Sequence, residues 1–175
     1  LGLEDEQVRQ ACTEAAQGEV VQAVNFNSPG QVVIAGHKTA VERACEQAKA
    51  LGAKRAVPLA VSVPSHSSLM KPVAEAFADT LAATEITVPQ IPVIHNADVL
   101  AHTSSDAIRD ALMRQIYNPV RWVETVQYLG AQGITRIVEA GPGKVLIGLN
   151  KRIDKNIASV AAFDSASLAE ALAAQ

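Results

Sequence analysis

The sequence predicts an α/β protein, and three observations support that class. Segments with apolar residues at helical spacing alternate with short apolar runs typical of strands. Glycine or proline stands at many of the junctions between them. Apolar residues make up 49% of the 175-residue chain but aromatic residues only 3%, which favours an interior built from many small alanine and valine contacts.

The first part of the chain is predicted to contain two helices and three strands. The first helix has acidic residues in its first turn and Gly18 just past its end. The next two strands are joined by the turn-forming sequence NSPG and should form a hairpin. The second helix ends at Gly52. The predicted segments are helix 4–17, strand 20–25, strand 31–35, helix 39–51 and strand 55–61.

Residues 1–3, LGL, are interpreted as the remainder of an earlier strand. With that strand restored, the order becomes β-α-β-β-α-β, which is the split βαβ arrangement of ferredoxin-like folds. We therefore expect residues 1–62 to be a ferredoxin-like small subdomain with a truncated first strand. The truncation would leave a sheet edge that an upstream segment has to cover.

From residue 63 onwards, helices and strands alternate over longer segments, which is typical of a mainly parallel sheet covered on both faces. We therefore expect residues 63–175 to belong to a doubly wound core. The predicted segments are a helix to about residue 82, strand 91–95, helices 105–116 and 119–129, strand 134–139, helix 144–153, a strand near 157–162 and a final helix from residue 165.

Composition argues against several classes of function. The net charge of −3 and the lack of a basic stripe argue against a nucleic-acid partner. No apolar run approaches the roughly 18 residues that a membrane span needs, so no membrane partner is expected. Cys12 and Cys45 lie among alanines on helical patterns, which suits free thiols in a reducing, cytoplasmic compartment. The four histidines have neither i,i+4 spacing nor a cysteine partner, so no metal site is expected.

A histidine without an evident nucleophile is the main chemical feature of the chain. In residues 61–66, VSVPSH, an apolar strand pattern runs into a loop that ends at His66, and such loops often carry catalytic groups. No Gly-X-Ser-X-Gly elbow occurs in the sequence. Since the first residue is Leu1 and not Met, we expect the nucleophile in an upstream segment of the same protein. The structural alternative is a solvated or packed loop histidine.

Two further segments stand out, 114–122 (RQIYNPVRW) and 139–146 (EAGPGKVL). Asn118 and Pro119 are typical of a helix N-cap followed by the first helical residue, and Trp122 is expected in the core. The GPGK sequence lacks both the earlier glycine and the following Ser or Thr of a Walker loop. It is interpreted as a strand-to-helix turn whose glycines allow the close approach of a neighbour or ligand. Three aspartates are interpreted as turn and helix-start residues and not as acid-base catalysts: Asp98, Asp106 and Asp110.

Together these segments resemble the malonyl-CoA:acyl carrier protein transacylases of fatty acid synthesis. The matching stretches, which extend over nearly the whole chain in order and spacing, are 24–36 (VNFNSPGQVVIAG), 61–66, 115–122 and 139–146. The resemblance implies an α/β-hydrolase-like core with an inserted ferredoxin-like subdomain, so residues 63–175 would be the C-terminal part of that core. It also implies that malonyl passes from coenzyme A through an acyl-serine to the phosphopantetheine thiol of acyl carrier protein. No cofactor is implied beyond these thioester and thiol substrates.

The resemblance also implies roles for individual residues. His66 matches the general base that takes the serine proton, and the backbone carbonyl of Gln115 matches the group that holds the Nδ1 proton of this base. Asn27 matches a residue near the active-site cleft, whereas Ser65 and Val145 match positions that line the acyl pocket. The serine, the malonyl-binding arginine and an oxyanion donor would lie upstream, so the isolated chain is expected to be inactive.

Three alternatives remain open at this point. Acyltransferase domains of polyketide synthases share the architecture, although Ser65 beside His66 is more similar to the stand-alone malonyl-specific form. The chain could instead be a non-catalytic module that binds carrier protein or pairs with its upstream half. A ligand sensor built from residues 1–61 is the third, although no turn suggests an effector pocket. The basic residues that could meet an acidic carrier protein are Lys71, Arg114, Arg121, Lys151 and Arg152.

Overall fold

The computed structural model describes residues 1–173 and has the predicted α/β class. These residues form seven α-helices, one 3₁₀ turn (Ser68–Met70) and six strands. In chain order, the elements are α1 (Asp5–Ala16), β1 (Val21–Ser28), β2 (Gln31–Gly36), α2 (Lys38–Ala50), α3 (Lys71–Ala83), β3 (Ile94–His95), β4 (Leu100–Ala101), α4 (Ser105–Tyr117), α5 (Trp122–Ala131), β5 (Arg136–Ala140), α6 (Val145–Ile153), β6 (Ala158–Ala162) and α7 (Ser165–Ala173).

The chain divides into two compact units, Leu1–Trp122 and Val123–Gln175, the second of which is described as far as residue 173. The predicted boundary between residues 62 and 63 falls inside the first unit. The assignment of residues 1–62 and 63–175 to separate domains therefore stays a prediction.

The predicted hairpin forms the centre of the first unit's N-terminal part. β1 and β2 pair antiparallel, with Val21 opposite Gly36 and Ser28 opposite Gln31. Helices α1 and α2 pack together against one face of this hairpin. The packing is close because the shared core is made of small side chains, which bury area without holding the backbones apart. The buried members are Cys12, Ala15, Val21, Ala40 and Ala44.

The hairpin also requires a glycine at the end of β2. A Cβ atom on Gly36 would lie 2.0 Å from the carbonyl oxygen of Val20, which is far inside the contact distance of the two atoms. The same carbonyl accepts a hydrogen bond from the amide of His37 at 2.8 Å. The chain can therefore enter α2 directly from the sheet only because residue 36 has no side chain.

The predicted strand at 55–61 was wrong. This segment is irregular, and its alternate apolar side chains are exposed: Val57 by 48%, Leu59 by 59% and Val61 by 69%. The alternating pattern is present, but no described strand pairs with it, and a strand needs hydrogen-bonding neighbours. Residues 1–3 do not form a strand either, although the carbonyl of Leu1 accepts hydrogen bonds from the amides of Lys54 and Arg55.

The predicted helix start at Asn118 was also wrong, because Asn118 ends α4 instead. Its amide and its side-chain Nδ2 both donate to the carbonyl of Arg114, at 3.0 and 2.8 Å. The next residues are extended, and Val120 forms a parallel bridge to Asn25 on β1. Helix α5 begins only at Trp122, which is half-buried.

The second unit contains one parallel pair of strands. β5 lies beside β6 with Arg136 opposite Ala158 and Ala140 opposite Ala162, and α6 connects them. A strand, a crossover helix and a parallel strand form one βαβ unit, as the alternation predicted. The predicted strand at 91–95 was wrong in its extent, because only Ile94–His95 is a strand, and it pairs antiparallel with β4 and not within a parallel sheet. None of the helices within residues 1–173 combines the length and apolar character that crossing a bilayer demands.

Candidate active site

His66 is held in a strained loop conformation. Its φ of 66° lies in the left-handed region, which a residue with a side chain adopts at a cost of about 1–3 kcal/mol. Two groups of contacts fix the loop. The amide of His66 donates to the carbonyl of Ile116 at 3.1 Å. Next to it, the fully buried Ser67 donates through its hydroxyl to the carbonyl of Pro64 at 2.7 Å. Strain maintained by such contacts is a frequent property of functional sites.

The imidazole of His66 is oriented by a main-chain carbonyl. Its Nδ1 lies 2.8 Å from the carbonyl oxygen of Gln115. A carbonyl oxygen can only accept a hydrogen bond, so Nδ1 carries the proton and Nε2 keeps its lone pair in the neutral ring. The structure therefore contains the contact that was expected between these two residues. Its catalytic role stays a prediction.

The end of α4 explains why these two carbonyls are available. In a continuing helix, the carbonyl of Gln115 would accept from the amide of residue 119, but Pro119 has no N–H. The carbonyl of Ile116 would accept from the amide of Val120, which donates instead to Val24 on β1 at 2.9 Å. Both oxygens therefore lack a partner within the helix, and His66 provides one for each.

His66 borders a cleft of about 360 Å³ in the first unit. Residues from α1, β1 and the segment after α4 surround it. They are Arg9, Cys12, Thr13, Val21, Gln22, Ala23, Tyr117, Asn118 and Pro119. The guanidinium of Arg9 lies 4.4 Å from the ring centre of Phe26, which gives the cleft a cationic group.

Three hydroxyl and thiol groups of the cleft and of the His66 loop are not activated nucleophiles. Burial raises the pKa of Cys12 to about 11, so its thiol is protonated at neutral pH. The Thr13 hydroxyl donates to the carbonyl of Arg9 at 3.0 Å, and the Ser67 hydroxyl is bound to Pro64. None of these three groups is therefore a ready nucleophile for His66, and the nucleophile that this base would deprotonate stays a prediction.

The other predicted site residues are less closely associated with this cleft. Asn27 lies on β1 and Ser65 directly precedes His66; both are half-buried, and neither lines the cleft. Val145 belongs to the second unit, where it is the first residue of α6 and 71% exposed. The structure thus brings His66 and Gln115 together, while the substrate-binding roles of the other three remain predictions.

A charged cluster around Arg114 was missed by the sequence reasoning. Arg114 donates through Nη2 to Asp98 and through Nε to Asp110, both at 2.6 Å. Asp98 also lies 3.0 Å from Nε2 of His102. Burial acts to raise the pKa of Asp98, but hydrogen bonds from Arg114 and His102 outweigh it and hold that pKa below its ordinary value. The i,i+4 spacing of Asp110 and Arg114 was readable in the sequence.

Two sequence interpretations need revision here. Asp98 does lie in a turn, between β3 and β4, but Asp110 lies inside α4 and is not a helix-start residue. Arg114 is already bound to two carboxylates, so its guanidinium is not a free group for a carrier protein. No group of three or more His, Cys, Asp and Glu side chains that could hold a metal ion occurs in the described part of the chain.

In the second unit, Glu139 organises the start of α6. Its two carboxylate oxygens accept from the amides of Val145 and Ile147, each at 3.0 Å. This satisfies free amides at a helix N-terminus, where a negative charge is also favourable. In the GPGK turn, a Cβ atom at Gly141 or Gly143 would meet no described atom within 4 Å. The described residues thus make no close approach at these glycines, and the expected approach of a neighbour or ligand stays a prediction.

Comparisons with known proteins identify the family. The family model described as "Acyl transferase domain" matches residues 1–170. The malonyl CoA-acyl carrier protein transacylase of Escherichia coli K12 is 56% identical over 172 residues, which cover 98% of this chain and 56% of the relative. The chain thus spans little more than half the length of this curated relative.

Solved structures of acyl carrier protein malonyltransferases also resemble this chain. The acyl carrier protein S-malonyltransferase of Vibrio cholerae is 60% identical with a TM-score of 0.96, over 98% of this chain and 56% of the other. The malonyl-transacylase in the PlMCAT:AntF complex with a type II PKS acyl-carrier protein is 55% identical with a TM-score of 0.98, over 100% of this chain and 57% of the other. From the family match along nearly its entire length, this chain belongs to the acyl transferase domain family.

Proposed function

We propose that the protein containing this chain transfers a malonyl group from coenzyme A to acyl carrier protein in fatty acid synthesis, and that this chain contributes the general base. The observation that carries the proposal is the imidazole of His66, whose Nδ1 lies 2.8 Å from the carbonyl of Gln115. The names of the relatives support the two substrates, malonyl CoA and acyl carrier protein. No cofactor takes part, since both substrates carry their own thioester or thiol.

In this mechanism, Nε2 of His66 accepts the proton of a serine hydroxyl supplied by an upstream segment. The serine oxygen bonds to the malonyl carbonyl carbon, the C–S bond breaks, and the imidazolium returns the proton to the departing coenzyme A thiolate. The phosphopantetheine thiol of the carrier then repeats the sequence and releases the serine. The carbonyls at the end of α4 lie at the negative end of the helix dipole. This favours the positive charge that His66 carries while it holds the proton.

Asn27, Ser65 and Val145 are assigned to substrate binding. Ser65 is adjacent to His66 in the chain, so its side chain is within reach of an acyl group bound at the base. Asn27 lies on β1, where the preceding residues Asn25 and Phe26 pair with Val120 in the segment after α4. For Val145, support comes from the 71% exposure of a large apolar side chain at a helix start.

The finer architecture follows from the same proposal. Residues 1–62 form a ferredoxin-like subdomain and residues 63–175 the C-terminal part of an α/β-hydrolase-like core, both completed by an upstream segment of the same protein. The exposed apolar side chains at Val57, Leu59 and Val61 support a missing covering segment. A cytoplasmic location is proposed because Cys12 and Cys45 are both free thiols.

The decisive experiment replaces His66 by alanine in the complete protein. Loss of a general base should lower kcat/KM for malonyl transfer by about 10²–10⁴-fold, with the circular dichroism spectrum unchanged. Gln115→Ala is the matched control, since the contact uses only its main-chain carbonyl and activity should change little. Near-normal malonyl transfer by the His66→Ala variant would falsify the proposal.

The carrier can be tested separately. One structural relative was solved with a type II PKS acyl-carrier protein, so a polyketide carrier is a specific alternative. We expect a higher kcat/KM with the fatty-acid carrier than with a polyketide carrier under matched conditions. The reverse preference would assign the protein to polyketide synthesis while leaving the role of His66 intact.

A further inference from the structure

Arg114 joins two segments of the first unit through ion pairs. Its guanidinium donates to Asp110 within α4 and to Asp98 in the turn between β3 and β4, both at 2.6 Å. Asp98 is only 16% exposed, as is the side chain of His102 that lies against it. The ring of His95 lies 5.1 Å from that of His102. A fork of two charge-assisted hydrogen bonds restricts both the position and the rotation of a side chain.

The residues after Arg114 are those that hold the candidate base. The carbonyl of Gln115 faces Nδ1 of His66, and the carbonyl of Ile116 accepts from the His66 amide. The carbonyl of Arg114 itself is bound by Asn118, which closes the helix. A rotation of this last turn would therefore move both carbonyls away from His66 at once.

The turn that carries Asp98 is itself firmly fixed. Val99 has a φ of 59°, which is rare for a β-branched residue, yet it is 93% buried (7% exposed) and its amide donates to the carbonyl of His95 at 2.9 Å. On the far side of α4, the amide of Arg121 donates to the carbonyl of Asn96 at 3.3 Å. The same turn thus contacts the chain both before and after the carbonyls that hold the histidine.

We propose that Asp98 and Arg114 are positioning residues, which fix the last turn of α4 so that the carbonyls of Gln115 and Ile116 hold His66 in its base tautomer. The proposal rests on the proposed function, because it gives His66 a reaction to perform. Asp110, whose side chain is 65% exposed, is the weaker partner of Arg114.

The test uses the complete protein and a graded set of variants. Asp98→Asn keeps the shape but removes the charge, and Arg114→Lys keeps the charge but removes the planar fork. Asp110→Asn removes the exposed partner alone. Asp106→Asn is the matched control, since Asp106 is on the same helix and 96% exposed, and its ion pair is a 3.4 Å contact with Arg109.

Two readouts separate positioning from a general loss of stability. In the starting protein, ¹⁵N spectra of the His66 ring should show the proton on Nδ1. In Asp98→Asn and Arg114→Lys, part of the signal should move to the Nε2–H form. For malonyl transfer, kcat should fall about tenfold while KM for malonyl-CoA stays the same, because neither side chain lines the cleft beside His66. Asp110→Asn should have a smaller effect and Asp106→Asn none.

The outcomes distinguish this inference from the proposed function. If His66→Ala keeps its activity, the proposed function is wrong, but the ring tautomer still reports on positioning. If Asp98→Asn and Arg114→Lys keep the ring signals and kcat of the Asp106→Asn control, the positioning role is overturned. Should Asp98→Asn fail to fold, Arg114→Lys and Asp110→Asn provide the same comparison. Equal losses in kcat and in folded fraction, with an unchanged tautomer, would also overturn it.

Discussion

At the residue level, two buried side chains of the first unit make its stability sensitive to acid. Burial, followed by the nearby charge of His102, lowers the pKa of His95 below 6.5. The pKa of Asp98 is held below 3.8 by its bonds to Arg114 and His102. For both groups the unfolded state binds protons more readily than the folded state. The contribution of each group to the free energy of unfolding is therefore complete above its pKa in the unfolded state. It is lost as the pH falls through its pKa in the folded state.

We predict that the free energy of unfolding falls as the pH drops below the ordinary histidine pKa of about 6.5, mainly because His95 has to be protonated, and falls again below about pH 4 as Asp98 becomes protonated. Urea unfolding of the complete protein at a series of pH values measures this. In His95→Asn, the first of these decreases should be smaller. An unchanged slope in that variant would show that another group controls the transition.

The contact between His66 and Gln115 shows what sequence alone can and cannot reveal about the site. The histidine was found from its loop context, but its partner lies 49 positions away and was supplied by the family resemblance. Pro119 and the i,i+4 pair in α4 were visible in the sequence as separate features. The two helix-end carbonyls that bind His66 depend on Pro119 and on the pairing of Val120 with β1, and no local pattern encodes that pairing.

At the level of elements, local patterns predicted the helices well. The seven helices have bounds close to the predicted ones, since apolar spacing and end signals such as Gly18 and Gly52 are local. The predicted strand at 55–61 failed because a strand depends on a partner, and alternation alone does not provide one. The helix start at Asn118 failed because an asparagine at this boundary can close the preceding helix as well as open the next.

The end of α4 leads to a prediction about Pro119. In Pro119→Ala, the new amide can donate to the carbonyl of Gln115 and compete with the imidazole of His66. We expect a lower kcat for malonyl transfer in the complete protein, together with a slight gain in thermal stability from the added helical hydrogen bond. Pro72→Ala, in the exposed first turn of α3, is the matched control and should leave kcat unchanged. Equal kcat in both variants would contradict the competition.

At the level of the whole chain, the irregular segment 52–67 exposes apolar side chains that a folded protein normally covers. The exposed fractions are 48% for Val57, 59% for Leu59 and 69% for Val61. Outside this segment, Ile91 is 80% exposed. Three exposed apolar side chains this close together in the sequence favour an interface at this segment. The composition shows that 49% of the residues are apolar. It does not predict which of their side chains remain exposed in the folded chain.

We predict that the 175-residue chain, purified by itself, self-associates and binds a hydrophobic dye through this segment. Replacing Val57, Leu59 and Val61 together by serine should reduce both effects, measured by light scattering after gel filtration and by dye fluorescence. Val73→Ser, at a 50% exposed position on α3, is the control. A monodisperse parent chain without dye binding would show that the segment is covered in solution.

The left-handed backbone at His66 limits which amino acids could ever occupy this position. Glycine tolerates this torsion best, asparagine, aspartate and histidine adopt it more often than other residues, and branched residues are disfavoured there. A descendant protein with no use for an imidazole could relax the loop by a single exchange to glycine. A histidine at this position keeps the torsional strain in the folded state. Its presence is therefore explained best by a use for its ring nitrogen.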